Sequence, residues 1–243
     1  MKQTVLFIPG FAGTPAMWDY PITNLEDIID AQSLVMEGDS LQAMVDLVVN
    51  SNTLPDKFAL VGHSMGSWVG AATAALHPER ITKLVLMDGW ARNNAAKAEE
   101  MEATLKALEA GQHQQVLAQH CPNVFYGDNA NFSNNVRFLR SLQESLPASL
   151  ITQQWQAMVK DNDIRHLLPK IQCPTLVIHG SHDPWFDLDE NLFLAQSIPH
   201  AQLTIVEDAP TALPLNNPKQ PLLCCAFSSA IKILCKPPQC PSC

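Results

Sequence analysis

The sequence lacks several features that would assign it to a particular class of protein. No apolar run approaches the roughly 18 residues of a membrane span. Basic residues are few, 15 against 24 acidic ones, and the net charge of −9 argues against nucleic acid or an anionic membrane as partner. No internal repeat or low-complexity linker occurs, and the first apolar run begins too early to leave room for a signal peptide. These absences favour a cytoplasmic globular protein.

Cysteine is nearly absent from the first 223 residues, where only Cys121 and Cys173 occur, while the last twenty residues hold the other five. The odd total of seven and the missing signal peptide argue against a disulfide framework. Neither the spacing of the cysteines nor the nearby histidines suggests a zinc site. We therefore expect no metal and no other cofactor.

Six short apolar runs predict the strands of a sheet. They are residues 4–8, 31–36, 58–61, 83–87, 174–179 and 202–206. The runs are continuous rather than alternating and helical patterns separate them, which is typical of a parallel sheet covered on both faces. The predicted fold class is therefore α/β, with a mostly parallel six-stranded sheet and helices on both sides. Ligands of such sheets bind at the carboxyl ends of the strands.

A long helical segment separates the fourth and fifth predicted strands. It spans residues 90–170 and carries helical patterns at 95–119, 134–146 and 149–159. A segment of this length is too long for an ordinary connection. We therefore divide the chain into an α/β core of residues 1–89 and 171–243 and a helical cap of residues 90–170. The cap would lie over the strand ends and shape a substrate pocket.

The segment Gly62-His63-Ser64-Met65-Gly66 lies between the third predicted strand and an alanine-rich helix. A G-x-S-x-G sequence at a strand-to-helix turn is the pattern of a nucleophile elbow, which exposes the serine hydroxyl. The N-terminus of the following helix would carry free N–H groups towards a developing oxyanion. The motif alone is weak, and its weight comes from the flanking strand and helix. The alternative is that Ser64 only caps the helix.

Further segments make the sequence resemble the α/β-hydrolase superfamily, in its compact, capped serine-hydrolase branch. They are Pro9-Gly10-Phe11 after the first strand, Trp18, the stretch 78–81 before the fourth strand, and the stretch 173–183 that ends in His182-Asp183. The resemblance covers residues 3–209. It implies Ser64 as nucleophile and Asp183 as the acid that orients a histidine. It also implies an oxyanion hole made by the N–H groups of Phe11 and Met65.

The resemblance also implies a histidine after the last strand, where this chain has Thr211. Threonine cannot act as a general base near neutral pH, so the triad is incomplete as written. His182 is the only other histidine expected near Ser64. We interpret His63 and His179 as structural, and the remaining histidines as surface or cap residues: His77, His113, His120, His166 and His200.

The departures from the family pattern begin together at Pro210. If each codon is read one base earlier, a histidine is allowed at position 211 and Glu-Gln-Pro at 216–218, and Cys225 must become leucine. We therefore hypothesise that residues 210–243 are translated from a shifted reading frame. The alternative is a natural pseudoenzyme with a diverged tail.

Four tryptophans are candidates for an apolar substrate pocket, with plain core packing as the alternative: Trp18, Trp90, Trp155 and Trp185. The charged run 97–102 is interpreted as a solvated helix face. Two functions remain open. One is a serine hydrolase that cleaves a carboxylic ester or related small acyl compound through an acyl-enzyme, with a small apolar ester as the default substrate. The other is a catalytically silent binding module or the product of a damaged gene. The sequence does not predict an oligomeric state.

Overall fold

The fold is a six-stranded parallel sheet with helices between the strands. A computed structural model describes residues 2–92, 95–123, 132–161 and 163–207. The strands are β1 (Gln3–Ile8), β2 (Ile29–Ser33), β3 (Phe58–His63), β4 (Ile81–Met87), β5 (Thr175–Gly180) and β6 (Gln202–Val206). Their order across the sheet is β2-β1-β3-β4-β5-β6, and every neighbouring pair is parallel. This confirms the predicted fold class.

At least one helix lies between every two consecutive strands. The helices are α1 (Asp19–Thr23), α2 (Leu41–Val49), α3 (Met65–Leu76), α4 (Ala95–Glu109), α5 (His113–Asn123), α6 (Phe132–Glu144), α7 (Ala148–Lys160) and α8 (Leu188–Ser197). Among the helix starts that the structure describes, two have side-chain caps. The Ser40 hydroxyl accepts from the backbone N–H of Ala43 at 3.3 Å before α2, and an Asp187 carboxylate oxygen accepts from that of Glu190 at 3.0 Å before α8. Such caps satisfy N–H groups that the helix cannot pair internally.

Both faces of the sheet are buried, as the continuous apolar runs predict. In β1, Val5 and Phe7 belong to one hydrophobic cluster and Leu6 and Ile8 to the other, because successive side chains point to opposite faces. Helix α3 is buried along almost its whole length, from Met65 to Ala75. The turn between β3 and α3 is therefore held on both sides by packed structure.

Two elements differ from the sequence prediction. Strand β2 ends at Ser33, whereas the apolar run predicts residues 31–36, because its pairing with β1 and not its hydrophobicity sets its extent at the sheet edge. The single predicted helix 95–119 is broken into α4 and α5 at Gly111, which has a φ of 81°. The Gln112 N–H donates to the Ala107 carbonyl across this residue, an arrangement that ends helices.

Four helices, α4 to α7, lie between β4 and β5, and the described part of this segment contains no strand. The two ends of this segment are held together by backbone contacts. Arg92 and Asp163 form an antiparallel bridge, and the Ile164 N–H donates to the Ala91 carbonyl at 2.8 Å. The division of the chain into a core and a helical cap stays a prediction. Within the described ranges, no helix has the length and apolar character needed to cross a membrane.

Candidate active site

The turn after β3 holds Ser64 in an unusual backbone conformation, with φ 50° and ψ −116°. A positive φ is uncommon for a residue with a side chain and persists only where the surroundings enforce it. Here the Ser64 N–H donates to the Met87 carbonyl at 2.9 Å, and the Ser64 carbonyl accepts from the Ser67 N–H at 2.8 Å. The serine is thus fixed at the carboxyl end of β3 and directly before α3, which is the local geometry that the motif predicts.

The two glycines of the turn are required by close backbone contacts. A Cβ added to Gly62 would lie 2.1 Å from the Gly66 carbonyl oxygen, and one added to Gly66 would lie 2.2 Å from that of Ile8. Ser67 also links α3 to β3 and β4. Its hydroxyl donates a hydrogen bond to the Gly62 carbonyl and accepts one from the Met87 N–H, each at 2.8 Å. The start of α3 is therefore pressed against the ends of β1, β3 and β4.

The loop after β1 passes beside Ser64. A Cβ on Gly10 would lie 3.3 Å from the Ser64 Cβ, so the backbone that leads to Phe11 runs along the serine side chain. The next residue, Ala12, has a φ of 51° and donates its N–H to Gln154 Oε1 at 2.8 Å. On the other side of the serine, α3 begins at Met65, and the N–H groups of a first helical turn lack intrahelical partners.

Gln154 is a functional candidate that the sequence analysis missed. It lies on α7, is fully buried, and is 142 residues away from Ala12 in the chain. Its Nε2 donates to the Met36 carbonyl at 2.7 Å while its Oε1 accepts from Ala12. One amide therefore connects α7 to the loop after β1 and to the segment after β2. No local pattern marks such a residue, because its partners are set by tertiary contact.

Asp183 follows β5 at the same edge of the sheet as Ser64. Its Oδ1 accepts from the Trp185 N–H at 2.7 Å and the Phe186 N–H at 3.2 Å. Burial raises the pKa of the Asp183 carboxyl, while these N–H groups and a hydrogen bond with the Asp88 side chain oppose that rise. Since β3 and β5 are separated only by β4, the strand ends that carry Ser64 and Asp183 are roughly 10 Å apart.

Asp88 is a second residue that the sequence analysis missed, although it directly follows β4 at the same sheet edge. It is fully buried, has a φ of 47°, and its Oδ1 accepts from the Gly180 N–H at 3.0 Å. Its side chain also forms a hydrogen bond with that of Asp183. With His179 they form a group of three potential metal ligands whose ligand atoms lie within 4.8 Å of one another. The backbone N–H groups already engage one oxygen of each carboxyl.

A pocket opens above Ser64 between the strand ends and the helices of the inserted segment. Its walls are mainly apolar and include five aromatic side chains, namely Phe11, Trp90, Trp155, Trp185 and Phe186. The rings are packed on one another: Phe11 meets Trp155 edge-on at 4.7 Å, and Trp90 stacks on Phe186 at 5.0 Å. Trp18 does not line this pocket, because it is buried in the other cluster against Phe7, with ring centroids 5.2 Å apart.

The sequence and the fold agree with those of one enzyme family. A profile of the family described as alpha/beta hydrolase fold matches residues 35–218, more than half of the chain.

The chain belongs to the alpha/beta hydrolase fold family.

Relatives of this chain include enzymes that are named for different substrates. It is 25% identical over 227 residues to RutD of Caulobacter sp. (strain K31), provisionally described as a carbamate hydrolase, covering 84% of this chain and 82% of that protein. It is 25% identical over 228 residues to 2-hydroxy-6-oxononadienedioate/2-hydroxy-6-oxononatrienedioate hydrolase 1 of Pseudomonas putida, covering 84% and 80%. The enol-lactonase of Burkholderia xenovorans LB400 has the same fold, with a TM-score of 0.83, 18% identity, and coverage of 97% and 92%.

The buried histidines near Ser64 and Asp183 are poor proton acceptors. Burial, with a smaller contribution from His120, lowers the pKa of His63 to about 3. Burial also lowers the pKa of His120 to about 4 and lowers that of His179. His182 is not among the described residues that line the pocket. Thr211, the position of the expected triad histidine, lies outside the described residues, so its place relative to Ser64 and Asp183 stays a prediction.

Lys97, which the sequence analysis interpreted as part of a solvated helix face, and His120, which it interpreted as a surface or cap residue, both line the pocket. His120 on α5 packs its ring against Phe11 and Trp185, with centroids 5.3 Å away in each case. Lys97 on α4 places its Nζ 3.8 Å from the Phe186 ring centroid. Helical periodicity identified the helices but not which side chains would meet Ser64, because α4 and α5 are interrupted and reoriented at Gly111.

Replacing Gln154 with methionine is expected to lower the free energy of unfolding by about 2–4 kcal/mol, because two buried backbone groups lose their partners. The loop that carries Phe11 and Ala12 should also lose its fixed position. Urea denaturation measures the effect, and Gln153→Met at the exposed neighbouring position is the matched control. A loss below about 0.5 kcal/mol in Gln154→Met would show that the amide does not hold the loop.

Acidification is expected to destabilise the protein through His63 and His120. In the unfolded chain both histidines have a pKa of 6.5 and become protonated below that pH. In the folded protein the pKa is about 3 for His63 and about 4 for His120, so both stay neutral to a lower pH. Stability should therefore be complete above pH 6.5 and fall as the pH decreases towards 4. At pH 5 each histidine should cost about 2 kcal/mol relative to pH 7.5.

The pH effect is measured as urea denaturation of the unaltered chain and of His120→Gln at pH 7.5 and pH 5. The acid-induced loss of stability of the variant is subtracted from that of the unaltered chain. This cancels the opposite contribution of Asp183, whose raised pKa stabilises the fold of both proteins as the pH falls. His166→Gln at an exposed position is the control. An equal acid loss with and without His120 would contradict the account.

Proposed function

We propose that this chain is a serine hydrolase that cleaves a carboxylic ester or a related small acyl compound through an acyl-enzyme. The observation that carries the proposal is the backbone of Ser64, which is held at a positive φ between β3 and α3 at the floor of an apolar pocket. A serine that only capped the helix would accept from an N–H of the first turn, and Ser64 makes no such side-chain cap bond.

In the proposed reaction the Ser64 Oγ attacks the carbonyl carbon of the ester, and its proton passes to a base. The carbonyl oxygen becomes an oxyanion that accepts hydrogen bonds from the backbone N–H groups of Met65 and Phe11. Collapse of the intermediate breaks the bond to the alcohol oxygen, which takes up the proton and leaves. Water then attacks the acyl group on Ser64 in the same manner and releases the acid. Asp183 would orient the base and stabilise its charged form.

The base is the missing component. Position 211, where the family pattern has histidine, is threonine in this chain, and the low pKa values of His63 and His120 make them weak substitutes. The proposed enzyme is therefore impaired as written and keeps only the contributions of the oxyanion hole and of substrate binding. In known triads these supply roughly a 10³- to 10⁴-fold acceleration over water.

The substrate class is inferred from the pocket and the relatives together. The relatives are named for a carbamate, an oxo-dienedioate and an enol-lactone, so each acts on a compound with a carbonyl group. The pocket of this chain is mainly apolar, which suits an acyl chain beside the reacting carbonyl. A second candidate function, a catalytically silent binding module, is favoured only by Thr211.

A fluorophosphonate probe separates the two functions. Phosphonylation should be confined to Ser64, and Ser64→Ala should abolish it, whereas Ser141→Ala at an exposed position should leave it unchanged. Peptide mapping by mass spectrometry locates the adduct. Labelling spread over surface serines, or no labelling at all, would favour the binding module.

A further inference from the structure

The loop after β1 forms a tight turn beside Ser64. The Gly13 N–H donates to the Gly10 carbonyl at 3.0 Å, which closes the turn over Phe11 and Ala12. A trans peptide unit is planar, so the Phe11 N–H points away from the Gly10 carbonyl of the same unit and out of the closed side of the turn. This N–H donates to no group of the described residues. The turn therefore leaves the Phe11 N–H available to an acceptor on its outer side.

The conformation of Ala12 in this turn is unfavourable on its own. Its φ of 51° lies in the left-handed region, and glycine or asparagine is the usual residue at the third position of a turn with a positive φ there. With alanine at that position the commoner turn has a negative φ, and the peptide unit between Phe11 and Ala12 is then flipped. A contact from outside the turn must therefore stabilise the observed conformation.

Gln154 supplies that contact from helix α7. Its Oε1 accepts from the Ala12 N–H at 2.8 Å, while its Nε2 donates to the Met36 carbonyl at 2.7 Å. The bond to Met36 fixes which end of the amide faces Ala12, because only the amide oxygen can accept. In the flipped turn the Ala12 N–H would point away from Gln154, and a fully buried acceptor would lose its partner. The amide thus selects one of two turn conformations.

The next residue on α7 contacts the other part of the turn. The Trp155 ring meets the Phe11 ring edge-on at 4.7 Å, and Trp155 Nε1 donates to the Met101 carbonyl at 2.8 Å. Phe11, Trp155 and Ser64 line the same pocket, and a Cβ on Gly10 would lie 3.3 Å from the Ser64 Cβ. Two consecutive residues of α7 therefore fix where Phe11 lies relative to Ser64.

We propose that Gln154 is a positioning residue of the oxyanion hole, which holds the turn of residues 10–13 so that the Phe11 N–H binds the oxyanion formed at Ser64. This inference rests on the proposed function, from which it takes the roles of Ser64 and of the Phe11 N–H. It extends that function by making α7, in the segment between β4 and β5, necessary for the assembly of the site. Gln154 is not among the described residues that line the pocket, so it acts through Ala12 and not on the substrate.

The test measures the rate of Ser64 phosphonylation at increasing concentrations of a fluorophosphonate, which gives the limiting rate kinact and the half-saturating concentration KI. Negative charge develops on the phosphoryl oxygen only during the reaction, so the oxyanion hole contributes to kinact and the pocket to KI. Gln154→Met has a similar volume and neither hydrogen bond, so kinact is expected to fall about tenfold or more while KI stays within about twofold.

Leu25→Ala is the control for lost stability. Leu25 is fully buried and precedes β2, whose first residue, Ile29, pairs with Gln3 at the amino end of β1. Its truncation leaves a cavity that destabilises the fold at the end of the sheet opposite Ser64. The kinact of Leu25→Ala should therefore stay within about twofold of that of the unaltered chain, since the oxyanion hole is intact.

A second variant tests the turn itself. Glycine adopts a positive φ without the penalty of alanine, so Ala12→Gly added to Gln154→Met should raise kinact by about threefold or more. A role of Gln154 in stability alone predicts no such recovery, because the Met36 carbonyl lacks the amide donor in both chains. Hydrogen exchange of the Ala12 amide should be about tenfold or more faster in Gln154→Met than in the unaltered chain. The exchange measurement requires no reaction at Ser64.

An unchanged kinact in Gln154→Met would overturn the proposal, and so would a loss of kinact that Ala12→Gly does not reduce. A rise of KI alone would also overturn it, because Gln154 would then only shape the pocket. If Ser64 is not labelled in the unaltered chain, the serine mechanism fails, and the Ala12 exchange rates decide separately whether Gln154 holds the turn. Unchanged exchange in Gln154→Met would show that it does not.

Discussion

Replacing residues 210–243 with the sequence encoded one base earlier is expected to raise kcat/KM for p-nitrophenyl acetate by about three orders of magnitude or more. The shifted frame allows a histidine at position 211, and where the gene encodes it, the replacement supplies this histidine together with the loop and final helix that would position it. A base that acts as a unit with its nucleophile contributes nearly as much as the nucleophile itself. The comparison is a steady-state esterase assay of the two chains at equal concentration.

Two controls define this result. Ser64→Ala in the restored chain should return the rate to background, and Thr211→His in the original tail should help little, because Pro210 fixes the backbone just before it. If the unmodified chain already hydrolyses the ester at rates typical of enzymes, and Ser64→Ala abolishes this activity, another base is present. His182→Ala would then be the next variant to measure.

Gly66→Ala is expected to destabilise the protein by about 4 kcal/mol or more, or to prevent folding. Its added Cβ would lie 2.2 Å from the Ile8 carbonyl oxygen and 2.8 Å from that of Pro9, and backbone atoms held in a parallel sheet cannot move aside cheaply. Urea denaturation and the yield of folded protein measure the effect.

Gly70→Ala is the matched control one helical turn later. Its Cβ would meet a Leu60 side-chain methyl group at 2.5 Å, and a side chain can adopt another rotamer, so the expected cost is about 1–2 kcal/mol. Equal losses in Gly66→Ala and Gly70→Ala would show that the contact between α3 and the end of β1 does not fix the turn.

Residues adjacent in the chain made the sheet and the serine turn predictable. Continuous apolar runs identified all six strands. The spacing of Gly62, Ser64 and Gly66 predicted a tight strand-to-helix turn, and in the structure both glycines lie against neighbouring backbone atoms. The edge strand β2 was misplaced by about two residues, because strand pairing fixes its ends. The family resemblance, rather than any local pattern, directed attention to Asp183.

The rest of the site depends on contacts between residues far apart in the chain. Gln154 is linked to Ala12 across 142 positions, and Lys97 reaches the Trp185 carbonyl across 88. A helical pattern does not tell which of its polar residues will face the sheet, so Lys97 and His120 were assigned to the surface or cap. Asp88 follows β4 directly, and its position at the shared sheet edge is the one signal that could have identified it.

Trapping an acyl-enzyme tests the central claim most directly. The unmodified chain is mixed with p-nitrophenyl acetate, quenched in acid, and mapped by peptide mass spectrometry. The missing base slows both half-reactions, but p-nitrophenolate leaves without a proton from the base, so acylation by this activated ester suffers less than deacylation by water. We therefore expect an acetyl group to accumulate slowly on Ser64, to be absent from Ser64→Ala, and to be short-lived in the chain with the restored tail. Acetylation confined to lysines or to other serines, in both the original and the restored chains, would contradict the account.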